Sequence, residues 1–264
     1  MPSVDDRETR PRARRERVLA HLARDGEASV EALAEAFDVS PETVRRDLAA
    51  LAGAGLVQKI HGGARYVAPG GSWLEGSLAD RMGRNVEGKR AIAAKLARLL
   101  SPGDTVFLDT GSTTIFAAEA LARSTDAPRP LTAVTNALAI AQTLGRVPDV
   151  AVYLLGGAYG ADNVQTLGPF AIEQIGQFRA DHAILTVAAL DAGGASDASA
   201  DEAGVARAMR GQAAATIVLA DAEKLGRRAP FGVCALGGIA TLVSDGPPPP
   251  ALAGPLADAG VRVL

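Results

Sequence analysis

Residues 40–67 read SPETVRRDLAALAGAGLVQKIHGGARYV, and this stretch decides the fold of the amino-terminal part of the chain. Ser40-Pro41-Glu42 is typical of a helix start, with an N-cap hydroxyl, a proline at the first helical position and an acid in the first turn. An apolar face at helical spacing follows, made of Val44, Leu48 and Leu51. Arg45 and Arg46 therefore point away from the core that this face enters.

The segments on either side complete a small domain. Residues 56–60 and 64–67 predict a two-stranded hairpin around His61-Gly62-Gly63, because glycine tolerates the positive φ of such a turn. Two further helices are predicted before Ser40. The first ends at Asp25-Gly26, and the second is capped by Ser29. We therefore predict a winged helix-turn-helix domain over residues 15–67.

The helix that begins after Ser40 has the features of a recognition helix, which buries one stripe and presents its first turns to the major groove. The predicted DNA-binding residues lie on this helix and on the wing, and they are Ser40, Thr43, Arg45, Arg46, Lys59, His61, Gly62 and Arg65. Arginine bonds a guanine edge or holds a phosphate, and the hydroxyls and free N–H groups of a helix start suit a phosphate. The alternative interpretation is a small helical domain whose exposed arginines merely keep it solvated.

Residues 1–14 form a predicted arginine-rich arm. Six arginines lie between Arg7 and Arg17 against two glutamates, although residues 1–66 together hold 11 basic and 11 acidic residues. Such a run could contact phosphate, or it could be a solvated, frayed terminus.

Beyond the hairpin the pattern changes. Residues 68–87 have no sustained apolar period and are rich in Gly and Ser at first, so we predict a linker there. Residues 88–264 alternate short apolar runs with helix-like stretches. This alternation predicts a larger α/β domain with a largely parallel sheet.

Several polar or glycine-rich turns follow the predicted strands of this domain. Residues 109–114, DTGSTT, lie between a strand and a helix, where glycine lets a ligand approach the backbone and a helix N-terminus favours an anion. The predicted effector-binding residues at these turns are Asp109, Gly111, Ser112, Thr113, Thr114, Asn136, Gly156 and Gly157. The turn at 109–114 is equally compatible with an ordinary helix cap.

Two more residues complete the predicted effector set. Lys224 could neutralise a phosphate as a point charge or be a solvated loop lysine. Glu202 lies in a predicted helix, where it could accept sugar hydroxyls or simply decorate that face.

Residues 15–67 resemble the winged helix of the DeoR family of bacterial transcriptional regulators, in which the S-P-x-T-V/I-R-R-D-L run and the H-G-G-A turn are characteristic. The resemblance continues through Arg81, Glu87 and Lys89 and on into the family's carboxyl-terminal sensor domain. Its sensor-domain motifs are FLDTGSTT at 107–114, VTNALAIAQTL at 134–144, LLGG at 154–157 and ADAEKLGR at 220–227. The resemblance implies a fold like that of phosphosugar isomerases and CoA transferases, with a sugar phosphate or related metabolite as effector.

The chain departs from the family pattern at two positions. Gly204 and Ala206 stand where the family usually has an acidic residue and a lysine, and residues 192–200 are unusually small and are expected to be flexible. These departures bear on which effector the domain recognises.

Composition excludes several classes of protein. A single cysteine, Cys234, rules out a disulfide framework and a cysteine-rich zinc site. Aromatic residues make up 4% of the chain, which argues against a base-stacking platform. No apolar run reaches the roughly 20 residues of a membrane span, and no secretory signal is recognisable, so a cytoplasmic location is expected.

The expected function is that of a sequence-specific transcriptional regulator, a repressor of a carbohydrate operon that a sugar phosphate releases from double-stranded operator DNA. We expect a homo-oligomer, dimer or tetramer, that is not an enzyme and has no cofactor or metal. One alternative is a sugar-phosphate isomerase-like enzyme with an attached DNA-binding domain, in which Asp109 or Glu202 would be the base. Another is a nucleoid-type binder without sequence preference.

Overall fold

In the computed structural model, residues 4–53, 56–60, 62–66, 77–124 and 126–264 are described. The side chains of residues 4–13, 53, 58 and 59 are not part of this description. Backbone contacts divide the chain into two compact units, Met1–Leu74 and Glu75–Leu264, here called the amino-terminal unit and the sensor unit.

The amino-terminal unit is a helical domain with a small antiparallel sheet. Its elements are α1 Val4–Asp25, β1 Glu27–Ser29, α2 Val30–Phe37, α3 Pro41–Gly53, β2 Val57–Ile60 and β3 Gly63–Tyr66. The strand order is β1-β3-β2. One core closes the unit, because Leu22 of α1, Leu33 of α2 and Leu48 of α3 are all buried in the same cluster. The predicted winged helix-turn-helix fold is confirmed.

The first helix and the sheet differ from expectation. Helix α1 begins at Val4, so residues 4–14, predicted as a separate arm, belong to this helix. Arginine, glutamate and alanine, which make up much of this segment, are good helix formers, and the helix continues through Pro11 despite the penalty that an interior proline carries. Strand β1 was not predicted, because three residues carry too little periodicity to be recognised without their partner strand β3.

The sensor unit is a three-layer α/β domain. Its helices are α4 Leu78–Gly83, α5 Val86–Ala97, α6 Ser112–Arg123, α7 Leu138–Leu144, α8 Pro169–Ile175, α9 Ala200–Gly211 and α10 Pro250–Asp258. Its main strands are β4 Thr105–Leu108, β5 Leu131–Thr135, β6 Val150–Leu154, β9 Ala180–Thr186, β12 Ala213–Leu219, β14 Thr241–Val243 and β15 Arg262–Val263. The shorter strands are β7 Ala158–Gly160, β8 Gln165–Leu167, β10 Ala189–Asp191, β11 Gly194–Asp197 and β13 Phe231–Cys234.

The central sheet is seven-stranded and parallel throughout, in the order β15-β14-β12-β9-β4-β5-β6. Helices α4–α7 pack on one face, against side chains such as Leu108 and Ile184. Helices α8–α10 pack on the other, against Phe107 and Leu185. The expected parallel α/β sheet is confirmed, and its carboxyl edge gathers the turns that follow β4, β5 and β6.

Two segments of the sensor unit differ from the sequence-based prediction. Residues 78–83, placed in the predicted linker, form α4, because Ser77 and Asp80 make a reciprocal capping box that the polar composition concealed. Residues 194–197, expected to be flexible, form the buried strand β11, because β10 and β13 pair on its two sides. Val86 and Glu87, also placed in the predicted linker, begin α5, which Asn85 caps. Residues 68–76 of that linker lie outside the described residues.

Candidate nucleic-acid interface and small-molecule site

Helix α3 begins with a hydroxyl cap. The Ser40 Oγ accepts a hydrogen bond from the backbone N–H of Thr43 at 3.2 Å, and the two hydroxyl oxygens lie 2.9 Å apart. These two predicted DNA-binding side chains therefore also stabilise the helix start, each costing stability if removed.

Two guanidinium groups lie on the outer face of α3. Arg45 and Arg46 are exposed, whereas Val44 and Leu48 are buried in the domain core. The Arg45 Nη1 is 3.6 Å from Glu42 Oε2, a contact between two largely exposed side chains that contributes little. Within the described part of the chain, Arg46 makes no ion pair, so both cations are accessible to a large anion.

A partly buried ion pair joins α3 to α1. Arg14 donates from Nε to Asp47 Oδ2 at 2.5 Å and from Nη2 to Asp47 Oδ1 at 3.3 Å, and Asp47 is buried. The pair raises the pKa of Arg14, chiefly through this hydrogen bond. Sequence reasoning missed Asp47. The sequence does give one indication of its role. Asp47 stands next to Leu48 of the buried stripe, where a charge without a partner would be costly.

Arg17, the last arginine of the run from Arg7 to Arg17, also acts within the unit. The Arg17 guanidinium lies 5.3 Å from the ring centroid of Phe37, within the range of a cation–π contact. The side chains of Arg7, Arg10 and Arg12 lie outside the described residues.

The wing is the β2–β3 hairpin. Gly62 at its tip has φ +73°, a conformation that favours glycine. Arg65 donates two hydrogen bonds to Glu27 Oε2, at 2.9 and 2.7 Å, so this predicted DNA contact has an intramolecular partner. Lys59 lies in β2 with its side chain undescribed, and His61 lies outside the described residues.

In the sensor unit, the predicted effector residues follow adjacent strands. Asp109 follows β4 and Asn136 follows β5, and these strands pair from Thr105↔Thr132 to Leu108↔Thr135. The Asp109 and Asn136 backbones therefore leave the same sheet edge as neighbours. Gly156 follows the next strand, β6, by two residues.

The loop before α6 is packed closely against β9. A Cβ at Gly111 would lie 2.2 Å from Thr186 Oγ1, and that same hydroxyl donates to the Thr110 carbonyl at 3.0 Å. Helix α6 starts at Ser112 without a side-chain cap. Its first N–H groups therefore face the sheet edge without a capping side chain, which is a favourable place for an anion.

The hydroxyls of this turn differ in availability. All three of Ser112, Thr113 and Thr114 are buried. Thr114 Oγ1 donates to the Gly111 carbonyl at 2.9 Å, so its hydroxyl belongs to the helix start. The Thr114 hydroxyl is therefore not available to a ligand, which leaves the predicted cradle its backbone N–H groups and the hydroxyls of Ser112 and Thr113.

Three carboxylates converge beside this turn. Burial raises the pKa of Asp109 well above its ordinary value, and the charges of Asp197 and Glu202 raise it further, while the Thr110 backbone N–H lowers it. The N–H of Thr110 donates to Asp109 Oδ1 at 2.7 Å. Asp197 was missed by sequence reasoning because it lies in the unpredicted strand β11.

Side-chain amides connect Asn136, which follows β5, to the carboxylate of Glu202. Asn136 donates to Gln165 Oε1 at 3.3 Å and to the Thr166 carbonyl at 3.0 Å. Gln165 donates in turn to Glu202 Oε1 at 2.5 Å, and Asn163 donates to the same oxygen at 2.6 Å. The fully buried Asn136 keeps its Oδ1 without a hydrogen-bond partner among the described residues. A buried acceptor of this kind requires a donor.

Gly156 and Gly157 lie where β6 meets α8. The Gly156 N–H donates to Gln174 Oε1 at 3.0 Å, and Gln174 Nε2 donates to the Phe170 carbonyl at 3.0 Å. A Cβ at Gly157, whose φ is +150°, would lie 2.5 Å from the Leu167 carbonyl oxygen. These glycines therefore permit a close approach of backbone segments, and Gln174 joins their loop to α8.

Lys224 lies near the turn of residues 109–111. Its Nζ donates to the Val187 carbonyl at 2.6 Å, one residue beyond the Thr186 that contacts Thr110 and Gly111. Burial raises the pKa of Asp221, and the ammonium groups of Lys224 and Lys89 act against that rise. The predicted phosphate-neutralising lysine is thus held at the same sheet edge, with a carboxylate nearby.

The two departures from the family pattern lie on α9. Ala206 is buried in the core beneath α8 and α9, and a Cβ at Gly204 would lie 3.5 Å from Ile172 of α8. Acidic and basic side chains at these positions would bring their charges between α8 and α9.

Among the described residues, no three His, Cys, Asp or Glu side chains are grouped so as to hold a metal ion. No helix within the same ranges is both long and apolar enough to cross a membrane.

Comparison with known proteins gives matches along most of the chain. The DeoR-like helix-turn-helix domain matches residues 14–69, and the DeoR C-terminal sensor domain matches residues 84–246. The HTH-type transcriptional repressor CsqR of Escherichia coli is 30% identical over 95% of this chain and 94% of its own. The glycerol-3-phosphate regulon repressor of E. coli is 31% identical over 88% of this chain and 90% of its own.

A third relative, the transcriptional repressor AccR of Agrobacterium fabrum, is 34% identical over 88% of both chains. Among solved structures, ribose 5-phosphate isomerase A of Neisseria gonorrhoeae covers 53% of this chain and 53% of its own at 18% identity, with a TM-score of 0.38.

Proposed function

Because this chain belongs to the DeoR family of transcriptional regulators, we propose that it is a sequence-specific repressor of a carbohydrate operon that a phosphorylated small molecule releases from its operator. The relatives support this assignment, since they include a glycerol-3-phosphate regulon repressor and a putative aga operon transcriptional repressor. Acting on DNA, the protein would work in the cytoplasm.

The observation that carries the DNA-binding half is the outer face of α3. Arg45 and Arg46 project from the first turns of a helix whose opposite face is buried in the domain core. A helix of this kind enters the major groove, where an arginine bonds two acceptors of one guanine. Ser40 and Thr43 lie at the helix start, where hydroxyls and N–H groups suit a phosphate.

The wing would contact the DNA backbone beside the recognition helix. We assign Lys59, His61, Gly62 and Arg65 to this contact. Arg65 would exchange Glu27 for a phosphate, and because that ion pair is exposed, breaking it costs little.

The effector half rests on the sheet edge of the sensor unit. The uncapped start of α6 suits an anionic group, and Gly111, Ser112, Thr113 and Thr114 supply the turn. The buried Asn136 Oδ1 suits a hydroxyl donor. Lys224 would add positive charge, and Gly156 and Gly157 would close one side. A small molecule that has both a phosphate and hydroxyl groups matches this combination.

Glu202 and Asp109 would set the polarity of the pocket. Glu202 already accepts two amide hydrogen bonds at one oxygen, so it would orient Asn163 and Gln165 as well as accept from a ligand hydroxyl. Asp109, whose pKa is raised, would be protonated more readily beside an anion.

Release would follow from linkage. An effector that binds better to the conformation unable to hold the operator weakens DNA affinity by the factor by which DNA weakens effector affinity. Paired recognition helices read half-sites one helical turn or a multiple apart, so we propose a homo-oligomer. The protein would bind the phosphorylated compound without turning it over.

Fluorescence anisotropy tests this proposal. The full chain is titrated onto duplex from its own upstream region and onto a scrambled duplex, with and without individual sugar phosphates. Specific binding that one sugar phosphate releases supports both halves. Specific binding without release discards the effector class, and equal binding to scrambled DNA discards sequence specificity. Turnover assays with the same compounds distinguish a sensor from an isomerase, since a sensor leaves them unchanged.

A further inference from the structure

A line of side-chain hydrogen bonds connects α4 to the carboxylate of Glu202. Arg81, in the last turn of α4, donates from Nη2 to the Asn163 side-chain oxygen at 2.6 Å. Asn163 lies in the turn between β7 and β8, and its amide nitrogen donates to Glu202 Oε1 at 2.6 Å. An arginine of the first helix of the sensor unit thus reaches a carboxylate of the candidate effector site.

The charges at the two ends fix the orientation of the Asn163 amide. A guanidinium has only donors, so it must meet the amide oxygen, and an ionised carboxylate has only acceptors, so it must meet the amide nitrogen. Both contacts involve a charged group, and such hydrogen bonds are about twice as strong as neutral ones. Arg81 therefore orients Asn163, and Asn163 in turn orients Glu202.

The same carboxylate orients the amides on its other side. Gln165 donates to Glu202 Oε1, which turns its own amide oxygen toward Asn136. Asn136 therefore donates with its nitrogen and keeps Oδ1 as an acceptor, the buried atom that lacks a hydrogen-bond partner among the described residues. The charge of Glu202 thus sets which atom of Asn136 the candidate site presents to a ligand hydroxyl.

Helix α4 is also attached to the sensor unit through its backbone. The buried ammonium group of Lys89 donates to the carbonyl groups of Arg81 and Arg84. This attachment does not involve Glu202, whereas the contact of the Arg81 guanidinium leads to it. Residues 68–76 precede the helix and lead back to the winged helix. Helix α4 is therefore the element through which a change at Glu202 would reach the connection between the two units.

We propose that Arg81 is a positioning residue of the effector site, which orients Glu202 through Asn163, and that this contact carries the state of Glu202 to α4. The regulatory role of the contact rests on the proposed function, in which an effector weakens operator binding. No described residue donates a hydrogen bond to Glu202 Oε2, so a ligand hydroxyl can bind there. A hydroxyl that donates to this carboxylate weakens its hold on Asn163, and so weakens the contact with Arg81.

Amide hydrogen exchange of the full chain tests the contact from both ends without an added ligand. Glu202→Gln keeps the shape of the side chain and removes its charge, so exchange within α4 is expected to become about fivefold faster. Arg81→Met keeps an apolar stem and removes the donor, so exchange at Gln165 and Thr166 is expected to become faster by a similar factor. Circular dichroism melting curves check that each variant is folded.

Two exposed neighbours provide matched controls. Asp201→Asn and Arg84→Met remove the same charges from side chains outside the candidate site, and each should change exchange less than about twofold. Arg81→Lys restores a cationic donor and should recover part of the wild-type protection, which a purely packing role would not explain. Because both positions act through one contact, Glu202→Gln should add nothing to the exchange within α4 of an Arg81→Met chain.

Operator affinity reports on the regulatory role. Glu202→Gln weakens the hold on Asn163 as a ligand hydroxyl would, so it should lower affinity for the operator duplex about fivefold in the anisotropy assay with no sugar phosphate present. Asp201→Asn should change this affinity less than about twofold.

Equal exchange within α4 in wild type and a folded Glu202→Gln chain overturns the proposal. The same holds if wild type binds its operator specifically and Glu202→Gln binds it equally well. The assays also separate this result from the fate of the proposed function. If exchange is coupled while wild type binds scrambled DNA as tightly as its own, the contact stands and the proposed function fails. If a sugar phosphate releases wild type from its operator but exchange is uncoupled, the contact fails alone.

Discussion

Arg14 of α1 and Asp47 of α3 form a two-bond ion pair that joins the first helix to the recognition helix, with Nε–Oδ2 at 2.5 Å and Nη2–Oδ1 at 3.3 Å. Because Asp47 is buried beside Leu48, the pair sets how α3 lies on its own domain. A change in this ion pair would therefore affect DNA binding through the position of α3, and not through a contact with DNA.

Removing the Arg14 guanidinium should destabilise the amino-terminal unit. Arg14→Ala leaves the buried Asp47 carboxylate without its partner, and hydrogen bonds to charged groups contribute about 1.5–3 kcal/mol. Amide hydrogen exchange along α1 and α3 measures the effect separately from the sensor unit. Arg24→Ala, which removes an exposed arginine whose contacts are with His21 and Asp25 of its own helix, is the control and should change exchange much less. Equal exchange in wild type and Arg14→Ala would show that the pair has no stabilising role.

Arg45 and Arg46 should each be needed for operator affinity. If either reads a base, its change to alanine costs about 1–3 kcal/mol and relaxes specificity at one position of the site. If it contacts phosphate, affinity falls on all sequences and the salt dependence becomes shallower. Anisotropy titrations at several salt concentrations distinguish these cases, with Arg123→Ala in the sensor unit as control. Unchanged affinity and salt slope would remove that arginine from the interface.

Asp109 should make the sensor unit less stable as pH rises. Its pKa is raised in the folded chain, chiefly by burial, so folded Asp109 retains its proton above pH 3.8, the ordinary value. The stabilising effect is complete below that value and is lost as pH rises through the folded pKa, with a slope of at most about 1.4 kcal/mol per pH unit. Comparing chemical denaturation of wild type and Asp109→Asn across pH isolates this contribution. Parallel curves for the two proteins would contradict it.

The same carboxyl should couple proton binding to anion binding. Ionised Asp109 repels a phosphate, so the affinity of wild type for the releasing sugar phosphate should fall as pH rises, after correction for the phosphate's own titration. Asp109→Asn should flatten this dependence while leaving operator binding intact. Calorimetric titrations at matched pH values provide the measurement, and an Asp109→Asn chain with the wild-type pH profile would refute the coupling.

Gly111 should tolerate no side chain. Its φ of 168° suits any residue, so the obstacle is the Thr186 hydroxyl, 2.2 Å from the position of an added Cβ. Gly111→Ala should cost about 1–3 kcal/mol of stability through overpacking and weaken effector binding by shifting the start of α6. The double change Gly111→Ala with Thr186→Ala should recover part of both losses, which thermal melting and titration measure. A single variant that binds effector normally would show that the turn is not the anion site.

The sequence predicted the sheet edge well because its parallel strands appear as short apolar runs. The strands β4 and β5 are largely buried, and β6, although largely exposed, is still an uncharged apolar run. β4, β5 and β6 could therefore be located, and the turns containing Asp109, Asn136 and Gly156 follow directly. By contrast, β7 and β8 are three residues long, too short for any period, and their pairing depends on tertiary contacts. Gln165, which connects Asn136 to Glu202, lies in β8 and was missed for that reason.

The ion pair of α1 and α3 was missed for a related reason. Its partners are 33 residues apart in the chain, and no local pattern indicates which arginine of the predicted arm meets Asp47. The run from Arg7 to Arg17 was therefore interpreted only as a group of positive charges that could contact phosphate. The structure uses Arg14 and Arg17 inside the domain, where their geometry matters more than their number.

Gln174 holds the Gly156 N–H with its amide oxygen and the Phe170 carbonyl with its amide nitrogen. A single inherited substitution at this position would thus disturb the Gly156 loop and the first turn of α8 together. Residue 174 therefore cannot change the Gly156 loop without also changing α8. A lineage that adapts to a new metabolite would have to do so elsewhere, at positions such as Gly204 that leave this amide in place.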